Sequence, residues 1–292
     1  MNGVLNIDKP AGMTSHDVVY RVRKTAGKKR VGHAGTLDPD ATGVLLVCLG
    51  HATRLSDLLA DQGKVYEAVL RLGITTSTED SSGTTLAECD PSAITEADLR
   101  TTLCQFIGGI EQIPPMVSAV HHQGQRLYDL ARKGITVVRE ARRIEIESIE
   151  LLSFSPGQEC SAALRVECGK GTYIRTLCAD IGAVLGVGGH MSSLRRTSVG
   201  RFNVTDAVRL DSLTHELIAA KLNSSSESIS FLPAVNLTAE ACADVLNGKK
   251  IATAQVFDSN QLIRLIKEGE LLALAVFQAD GFLQPTKVFP PD

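Results

Sequence analysis

The stretch "GHAGTLDPDATGVLLVCLG", Gly32 to Gly50, joins a turn-rich run of small residues to an uninterrupted apolar run. The apolar half, from Gly43 onward, predicts a buried strand, in which Cys48 is typical of a small buried hydrophobe. The first half contains a histidine and two aspartates among three glycines. The stretch therefore predicts a buried strand that is preceded by a loop with ionisable side chains.

Asp38 lies between Leu37 and Pro39 and has three interpretations. An aspartate before proline commonly starts an Asx-turn, in which its side chain bonds nearby backbone. It could instead ligate a metal with His33 and Asp40, although no other ligand cluster completes the shell. It could also be a nucleophilic carboxylate, because the small residues around it would let a flat substrate approach. The spacing alone leaves all three open.

Composition restricts the class of protein. A chain of 292 residues predicts one large domain, or a main domain with a smaller one. Its seven cysteines form no C-x-x-C pair, which argues against a disulfide framework and a structural zinc site. The start lacks the features of a signal peptide, and no apolar run is long enough to cross a bilayer, so we expect a cytoplasmic protein with no membrane contact.

Local basic patches stand out against a net charge of −3. Residues 21–30 include six basic side chains and no acid, and residues 126–143 include six with two acids. Together they favour a polyanionic partner. A third arginine cluster fits either a solvated face or a phosphate-binding strip: Arg195, Arg196 and Arg201.

The order of the elements indicates an α+β fold. Thr14 and Asp17 form a capping-box arrangement before a helix with a valine face. Strands and helices interleave, yet several strands follow one another through short turns, unlike a doubly wound sheet. The polar run 223–230 predicts a linker, which separates a main domain, 1–222, from a small β-rich domain, 231–292.

Few flat side chains are available to stack on a nucleobase, because the chain has no Trp and four Tyr. Tyr66 beside Lys64 and Tyr173 beside Arg175 are the natural candidates, although a strand tyrosine is more often core. On an extended segment, Tyr173 and Arg175 would face the same side. Arg175 is either a surface arginine or the partner of a carboxylate that it keeps ionised.

Taken together, the motifs resemble the bacterial tRNA pseudouridine synthase B (TruB) family, from Leu5 to about Val204. They occur in the family's order: "NIDKPAGMTSHDVV", "VGHAGTLDPDATGVLLV", "KVYEAVLRLG", "QIPPMVSAV", "GQRLYDLARKG", "GKGTYIRTL" and "LRRTSVGRF". The resemblance implies an α+β pseudouridine synthase fold with a mixed, largely antiparallel sheet flanked by helices. The end of the chain, around "GFLQPTKVF", resembles a small PUA-like β-barrel module that binds RNA.

The resemblance also implies roles for individual residues. Asp38 matches the family's catalytic aspartate, Tyr66 the tyrosine that stacks on the target base, and Arg175 the arginine that pairs with the aspartate. Three more match positions that line the substrate site, and His33 among them is expected to contact or displace T-loop bases: Tyr173, His33 and Leu194.

Two further segments match with less direct roles. Lys9 and Pro10 fit a motif beside the site, for which we expect a structural role. The stretch around 121–143 resembles an RNA-binding insertion that folds over the substrate. Within it, His121 stands where relatives usually have lysine, which puts one backbone contact in doubt.

The implied reaction is isomerisation of a T-loop uridine of tRNA, position 55, to pseudouridine. It breaks a C–N bond and forms a C–C bond between the same partners, so no cofactor or metal is chemically required. The target base must be flipped out, which costs a few kcal/mol. The carboxylate could attack C1′, attack C6 of the uracil, or abstract a ribose proton to form a glycal.

The expected partner is the T-arm of tRNA, with no obligatory protein partner and a monomeric state. Three rival functions are an RNA chaperone without turnover, a metal-dependent hydrolase and a guide-RNA-dependent synthase. The set of Asp38, Tyr66 and Arg175 argues against pure binding. The lack of long basic extensions favours a stand-alone enzyme.

Overall fold

Helix α1, Ser15–Ala26, begins where the sequence predicts. The Thr14 hydroxyl accepts a hydrogen bond from the Asp17 backbone N–H, and the Asp17 carboxylate accepts one from the Thr14 N–H, which is a reciprocal capping box. The helix ends at Gly27, whose φ of 60° is the left-handed conformation that glycine adopts without steric cost. The predicted valine face is buried, so the sequence prediction of this helix is confirmed.

The computed structural model describes residues 1–118, 121–122, 124–126, 128, 130, 133–135 and 137–290. The strands in these ranges are β1 (Gly3–Lys9), β2 (Val31–Ala34), β3 (Thr42–Leu49), β4 (Lys64–Leu72), β5 (Ile74–Thr76), β6 (Thr85–Glu88), β7 (Gly108–Gln112), β8 (His121–His122), β9 (Gln125–Arg126), β10 (Arg142–Ser155), β11 (Ser161–Cys168), β12 (Gly189–Val199), β13 (Phe202–Asn203), β14 (Val208–Arg209), β15 (Ala234–Asn236), β16 (Ile251–Ala252), β17 (Leu262–Lys267), β18 (Glu270–Phe277) and β19 (Phe282–Val288). The other helices are α2 (Ser56–Ala60), α3 (Glu96–Cys104), α4 (Ile174–Val184), α5 (His215–Lys221), α6 (Ser225–Ser228) and α7 (Ala239–Leu246), with 3₁₀ turns at Gly50–Leu55, Val204–Asp206 and Leu210–Ser212.

The large sheet has the order β14-β1-β3-β12-β4-β11-β10-β7, with β2 paired to β3 and β13 paired to β12. Two pairs are parallel, β1 with β14 and β3 with β12. The remaining pairs of this sheet are antiparallel. This arrangement confirms the predicted mixed, largely antiparallel sheet. Strand β3, the apolar run predicted to be buried, has fully buried residues from Val44 to Leu49.

Strand β12 corrects the sequence interpretation for one arginine of the cluster. β12 lies between β3 and β4 in the sheet, and Arg196 is buried there, whereas Arg195 is partly exposed and Arg201, after the strand, is exposed. Arg196 is 1% exposed, Arg195 donates to Asp8 Oδ2 at 2.9 Å, and Arg201 donates to the Glu227 carbonyl at 2.8 Å. The burial of Arg196 is not evident from the sequence, because its hydrogen-bond acceptors are carbonyls of distant segments.

The second sheet has the order β15-β17-β18-β19-β16 and is consistent with the predicted PUA-like module. Its core is continuous with that of the large sheet, because Leu274 and Phe289 pack in one cluster with Leu55 and Leu59. The predicted linker 223–230 is therefore not a solvated tether. Its residues pack into this junction as helix α6 and a fully buried isoleucine, with these buried members: Ser225, Ser226, Ser228 and Ile229.

The predicted RNA-binding insertion, 121–143, lies partly outside the described residues. Within the described part, β8 pairs with β9 in a short antiparallel hairpin. Among the helices of the described ranges, none is long and apolar enough to span a membrane.

Candidate active site

Asp38 sits in the loop between β2 and β3, and two buried side chains fix this loop on either side of it. The Ser15 hydroxyl donates to the Leu37 carbonyl at 3.1 Å and accepts from the Leu37 N–H at 3.0 Å. The Lys9 ammonium donates to the carbonyls of Pro39 and of its own following residue, both at 2.8 Å. Burial lowers the pKa of Lys9 to about 8. The structural role predicted for Lys9 is thus confirmed.

Arg196 binds the same loop and the start of β3 through backbone carbonyls. Its guanidinium donates to the carbonyls of Val44 at 2.8 Å, Gly35 at 3.0 Å and Thr36 at 3.4 Å. The backbone at Gly43 approaches it closely: φ is +100°, and an added Cβ would lie 2.1 Å from the Arg196 carbonyl oxygen. Only glycine fits this crossing of β3 and β12. The sequence offered no signal for Arg196 beyond an ambiguous basic cluster.

Arg175 contacts both oxygens of the Asp38 carboxylate. Its Nε lies 3.0 Å from Oδ2, and its Nη2 donates to Oδ1 at 3.3 Å. The same guanidinium donates to the carbonyls of Val117 at 2.8 Å and Thr78 at 3.3 Å, and lies 3.6 Å from a carboxylate oxygen of Asp80. A paired, two-point contact fixes the plane of the carboxylate as well as its charge.

The two partners differ in exposure, which separates their roles. The Arg175 side chain is 4% exposed and that of Asp38 is 36% exposed. Burial raises the pKa of Asp38 above its ordinary value, and the Arg175 cation opposes that rise, whereas the neighbouring Asp80 adds to it. The arginine therefore offsets part of the cost of ionising a carboxylate that remains reachable from outside.

A cavity of about 280 Å³ opens beside this pair. Five of the six residues predicted for the site line it together: Asp38, Tyr66, Tyr173, Arg175 and Leu194. Lys64 and Arg196 also contribute to its walls. The cavity combines one carboxylate, apolar and aromatic walls and fixed cations, which is the composition of a small-molecule pocket with few convergent polar groups.

Tyr173 and Arg175 line the cavity from two different local conformations: Tyr173 has an extended backbone just before a helix, and Arg175 lies in the first turn of that helix. Strand β11 ends at Cys168, and α4 begins directly after Tyr173. The Tyr173 backbone N–H donates to Gln112 Oε1 at 2.8 Å, and its carbonyl accepts from Gln112 Nε2 at 3.1 Å. These bonds fix the start of the helix and hence the position of Arg175 in its first turn.

Tyr66 projects from β4 and is 7% exposed. Burial raises the pKa of its phenol, and the nearby Arg196 guanidinium opposes that rise. Lys64, two residues earlier, donates to the carbonyls of Ala60 and Gln62, both at 2.6 Å. Tyr66 is therefore a largely buried ring that also lines the cavity.

His33 is the exception among the predicted residues, because it does not line this cavity. Its ring lies edge-on to that of His16, with centroids 5.2 Å apart. Burial lowers the pKa of His33 to about 4, so the ring is neutral at pH 7. Its Nδ1 is buried without a hydrogen-bond partner among the described residues. Its predicted contact with RNA bases stays a prediction.

A second cavity, of about 320 Å³, also borders Asp38 and shares Val117, Arg175 and Leu194 with the first. Its wall includes the turn between β5 and β6, where Asp80 contacts Arg175. Glu79 in this turn accepts a hydrogen bond from the Thr176 hydroxyl at 2.5 Å. The turn is thereby bound to α4 next to the arginine that it orients.

Asp180 lies one helical turn beyond Thr176. Burial and the nearby Glu79 carboxylate raise the pKa of Asp180 to about 6.

The rival metal site is not assembled, since nowhere in the described ranges do three His, Cys, Asp or Glu side chains come together to hold a metal ion.

Family models match most of the chain. The N-terminal domain of the TruB family pseudouridylate synthases matches residues 23–174. The tRNA pseudouridylate synthase B C-terminal domain matches residues 175–239, and the C-terminal model of pseudouridine synthase II TruB matches residues 233–289. Together these models match the sequence from residue 23 to residue 289.

Relatives of similar length share this sequence pattern. A tRNA pseudouridine synthase B of Symbiobacterium thermophilum is 47% identical over 248 residues, which cover 85% of this chain and 82% of that protein. One of Heliobacterium modesticaldum is 42% identical and covers 99% of this chain and 96% of that protein.

Solved structures show the same fold. A Cbf5-Nop10-Gar1 complex contains a chain with a TM-score of 0.75 and 29% identity, which covers 99% of this chain and 85% of that one. An H/ACA RNP bound to a substrate RNA containing 2'-deoxyuridine contains one with a TM-score of 0.75 and 27% identity, at the same coverage. The fold is therefore that of the pseudouridine synthases. With family models and relatives matching nearly its whole length, the chain belongs to the TruB family of pseudouridylate synthases, which are isomerases.

Proposed function

We propose that this enzyme converts the uridine at position 55, in the T-loop of tRNA, to pseudouridine, with Asp38 as its catalytic carboxylate. Relatives named tRNA pseudouridine synthase B are 40–47% identical to this chain. The chains from H/ACA and Cbf5 complexes are 27–29% identical. The greater similarity to the tRNA enzymes supports a stand-alone enzyme that acts on tRNA, as opposed to one that depends on a guide RNA.

The two-point contact between Asp38 and Arg175 at the cavity carries this proposal. The contact orients a carboxylate with one face open, and the loop around it is fixed by Ser15, Lys9 and Arg196. Such preorganisation places a charged oxygen where a substrate nucleotide can meet it without rearrangement of the protein. A structural Asx-turn would not need this buried arginine.

The target nucleotide must leave its stack to reach the cavity, which costs a few kcal/mol. Stacking on Tyr66 returns about 1–3 kcal/mol per base. Tyr173 and Leu194 supply further cavity wall, so that the uracil exchanges base neighbours for aromatic and apolar contacts. The binding of the everted base therefore repays most of the cost of extracting it.

Asp38 then acts in its ionised form on the everted nucleotide. Attack on C1′, attack on C6 and abstraction of a ribose proton each require a charged, unhindered oxygen. In each route the glycosidic C–N bond breaks, the uracil turns inside the cavity, and C5 bonds to C1′. The C5 proton leaves and N1 gains one, so the atoms balance and the carboxylate is regenerated.

Mapping of the modified nucleotide tests the substrate assignment. An unmodified tRNA transcript is incubated with enzyme, treated with a carbodiimide that marks pseudouridine, and read by primer extension. We expect one new stop, caused by position 55, and none when that nucleotide is cytidine. A stop in the anticodon loop, or no stop at all, would overturn the proposed substrate.

A further inference from the structure

Helix α1 carries an exposed stripe that the site described above does not use. Four side chains lie on one face at i, i+4, i+7 and i+8: His16, Tyr20, Arg23 and Lys24. All are exposed, and the Tyr20 ring is 64% exposed. We call these four residues the α1 stripe. An aromatic ring so exposed between cations does not contribute to the core of this helix, which the valines form.

The α1 stripe begins beside the candidate active site. Ser15, one residue before it, hydrogen-bonds to Leu37, the neighbour of Asp38. His16 contacts the His33 ring. With a rise of 1.5 Å per residue, Tyr20 lies about 8 Å further along the axis than Ser15. The stripe therefore leads away from the Asp38 loop over the protein surface.

The sequence around the α1 stripe is rich in cations. No acidic residue occurs from Val18 to Arg30, a span with six basic side chains. Asp17, which precedes it, has its carboxylate engaged in the capping box with Thr14. Cations near a helix C-terminus also stabilise the helix dipole, but that effect gives no reason for the exposed Tyr20 ring.

A surface groove lies along part of the α1 stripe. Tyr20 and Lys24 line it together with four neighbours: Asp17, Arg21, Thr25 and Leu213. The groove has a volume of about 610 Å³. A phenol ring next to two cations and an apolar wall matches an unpaired nucleotide, whose base stacks while its phosphate meets the cations.

We infer that the α1 stripe and its groove bind an unpaired stretch of the substrate RNA next to the modified nucleotide, with Tyr20 stacking on a base and Arg21 and Lys24 contacting phosphates. This inference rests on the proposed function, since it takes the substrate to be tRNA. The chain has a net charge of −3, so this local patch supplies attraction that the whole protein does not. A protein partner would have to neutralise the same cations with acidic groups of its own.

Binding measurements on inactive enzyme test the inference. In an Asp38→Asn background, which separates binding from turnover, the Kd for a tRNA transcript is measured over a range of salt concentrations. Tyr20→Ala weakens binding at least about fivefold, the factor for a stacking loss of about 1 kcal/mol, whereas Tyr20→Phe stays within about twofold. The double variant Arg21→Gln/Lys24→Gln lowers the slope of log K against log salt by about 1–2.

The matched control is Arg71→Gln/Arg100→Gln, which removes two cations that are paired with glutamates elsewhere on the surface. Its salt slope stays at the parent value. Unchanged affinity in Tyr20→Ala and an unchanged slope in the α1 double variant would overturn the inference. So would a change in sedimentation without a change in RNA affinity, which would identify a protein interface.

The two proposals fail in different ways. The α1 variants could lose RNA affinity while the unmutated enzyme modifies another nucleotide. In that case the α1 stripe does bind RNA, and the proposed substrate position is wrong. If position 55 is modified and the α1 variants bind normally, the proposed function stands and the α1 stripe has no role in RNA binding.

Discussion

Arg175 Nε lies 3.0 Å from Asp38 Oδ2, and the arginine is 4% exposed while the aspartate is 36% exposed. A buried cation with a reachable anion is the arrangement expected when one residue is a reactant and the other is its support. The arginine belongs to the first turn of α4, and the aspartate to a loop that three other buried groups fix. The reactive geometry is therefore set by the fold before any substrate binds.

Replacement of Arg175 by leucine should shift the acid limb of the pH profile of kcat/KM to higher pH. Burial raises the pKa of Asp38 and Arg175 opposes the rise, so loss of the cation raises that pKa further. Since Asp38 must be ionised, kcat/KM falls at low pH, and the fall begins at higher pH in the variant. A pKa unit corresponds to about 1.4 kcal/mol, and we expect at least a tenfold loss of kcat/KM at pH 7.

The pH dependence of kcat/KM from pH 5 to 9 measures this shift. Arg175→Lys is the control, because it keeps the charge and loses only the two-point geometry. The acid limb of Arg175→Leu could instead lie at the same pH as that of the wild type, with circular dichroism showing an intact fold. That result would show that the cation does not control the ionisation of Asp38.

Replacement of Gly43 by alanine should destabilise the loop through a steric clash. The added Cβ would lie 2.1 Å from the Arg196 carbonyl oxygen. Gly12→Ala is the matched control, because Gly12 also has a positive φ but an added Cβ there meets nothing within 4 Å. We expect Gly43→Ala to lower the free energy of unfolding by about 2–3 kcal/mol more than the control in denaturant titrations. Equal losses of unfolding free energy in the two variants would mean that the backbone at the crossing of β3 and β12 accommodates the added methyl group at little cost.

Removal of the Tyr66 ring should affect turnover more than affinity. Stacking on the everted base stabilises a state that forms after docking, so Tyr66→Ala is expected to lower single-turnover rates at least tenfold while tRNA Kd changes less than about threefold. Tyr66→Phe keeps the ring and loses only the hydroxyl, so its rate should lie near that of the wild type. Comparable losses in rate and affinity in Tyr66→Ala would indicate that the ring serves docking.

Asp180→Asn should stabilise the protein in a pH-dependent manner. The pKa of Asp180 is raised to about 6 in the folded protein, so ionisation costs folding free energy that is present in full above pH 6 and disappears below the ordinary value of 3.8. The neutral amide removes that cost. We expect a stabilisation on the order of 1 kcal/mol at pH 8 and a smaller one at pH 4.5, measured by thermal unfolding. Equal effects at both pH values would contradict the assignment.

Local signals made much of the site predictable from the sequence. The capping box at Thr14 and Asp17 locates α1, and the apolar run after Gly43 locates the strand that follows the Asp38 loop. Resemblance to the family then singled out Asp38, Tyr66 and Arg175, which the structure brings to one cavity. Each of these predictions depended on residues close together in sequence or on an ordered motif.

The missed features depend on contacts between distant segments. Arg196 is buried because carbonyls of the β2–β3 loop and of β3, more than 150 residues away, accept its hydrogen bonds. The serine-rich run 223–230 looks like a linker, but its small side chains fit the junction between the two sheets. The backbone of Tyr173 is held by the side chain of Gln112 from β7. No local pattern encodes these partners.

Release of tritium from tRNA transcribed with [5-³H]uridine tests the central claim most directly, with wild type compared with Asp38→Asn. The carboxamide preserves size and removes the charge, so tRNA binding should stay within about threefold of wild type by filter binding. We predict release by the wild type and no detectable release by Asp38→Asn. Full activity of Asp38→Asn would contradict the assignment of the catalytic carboxylate.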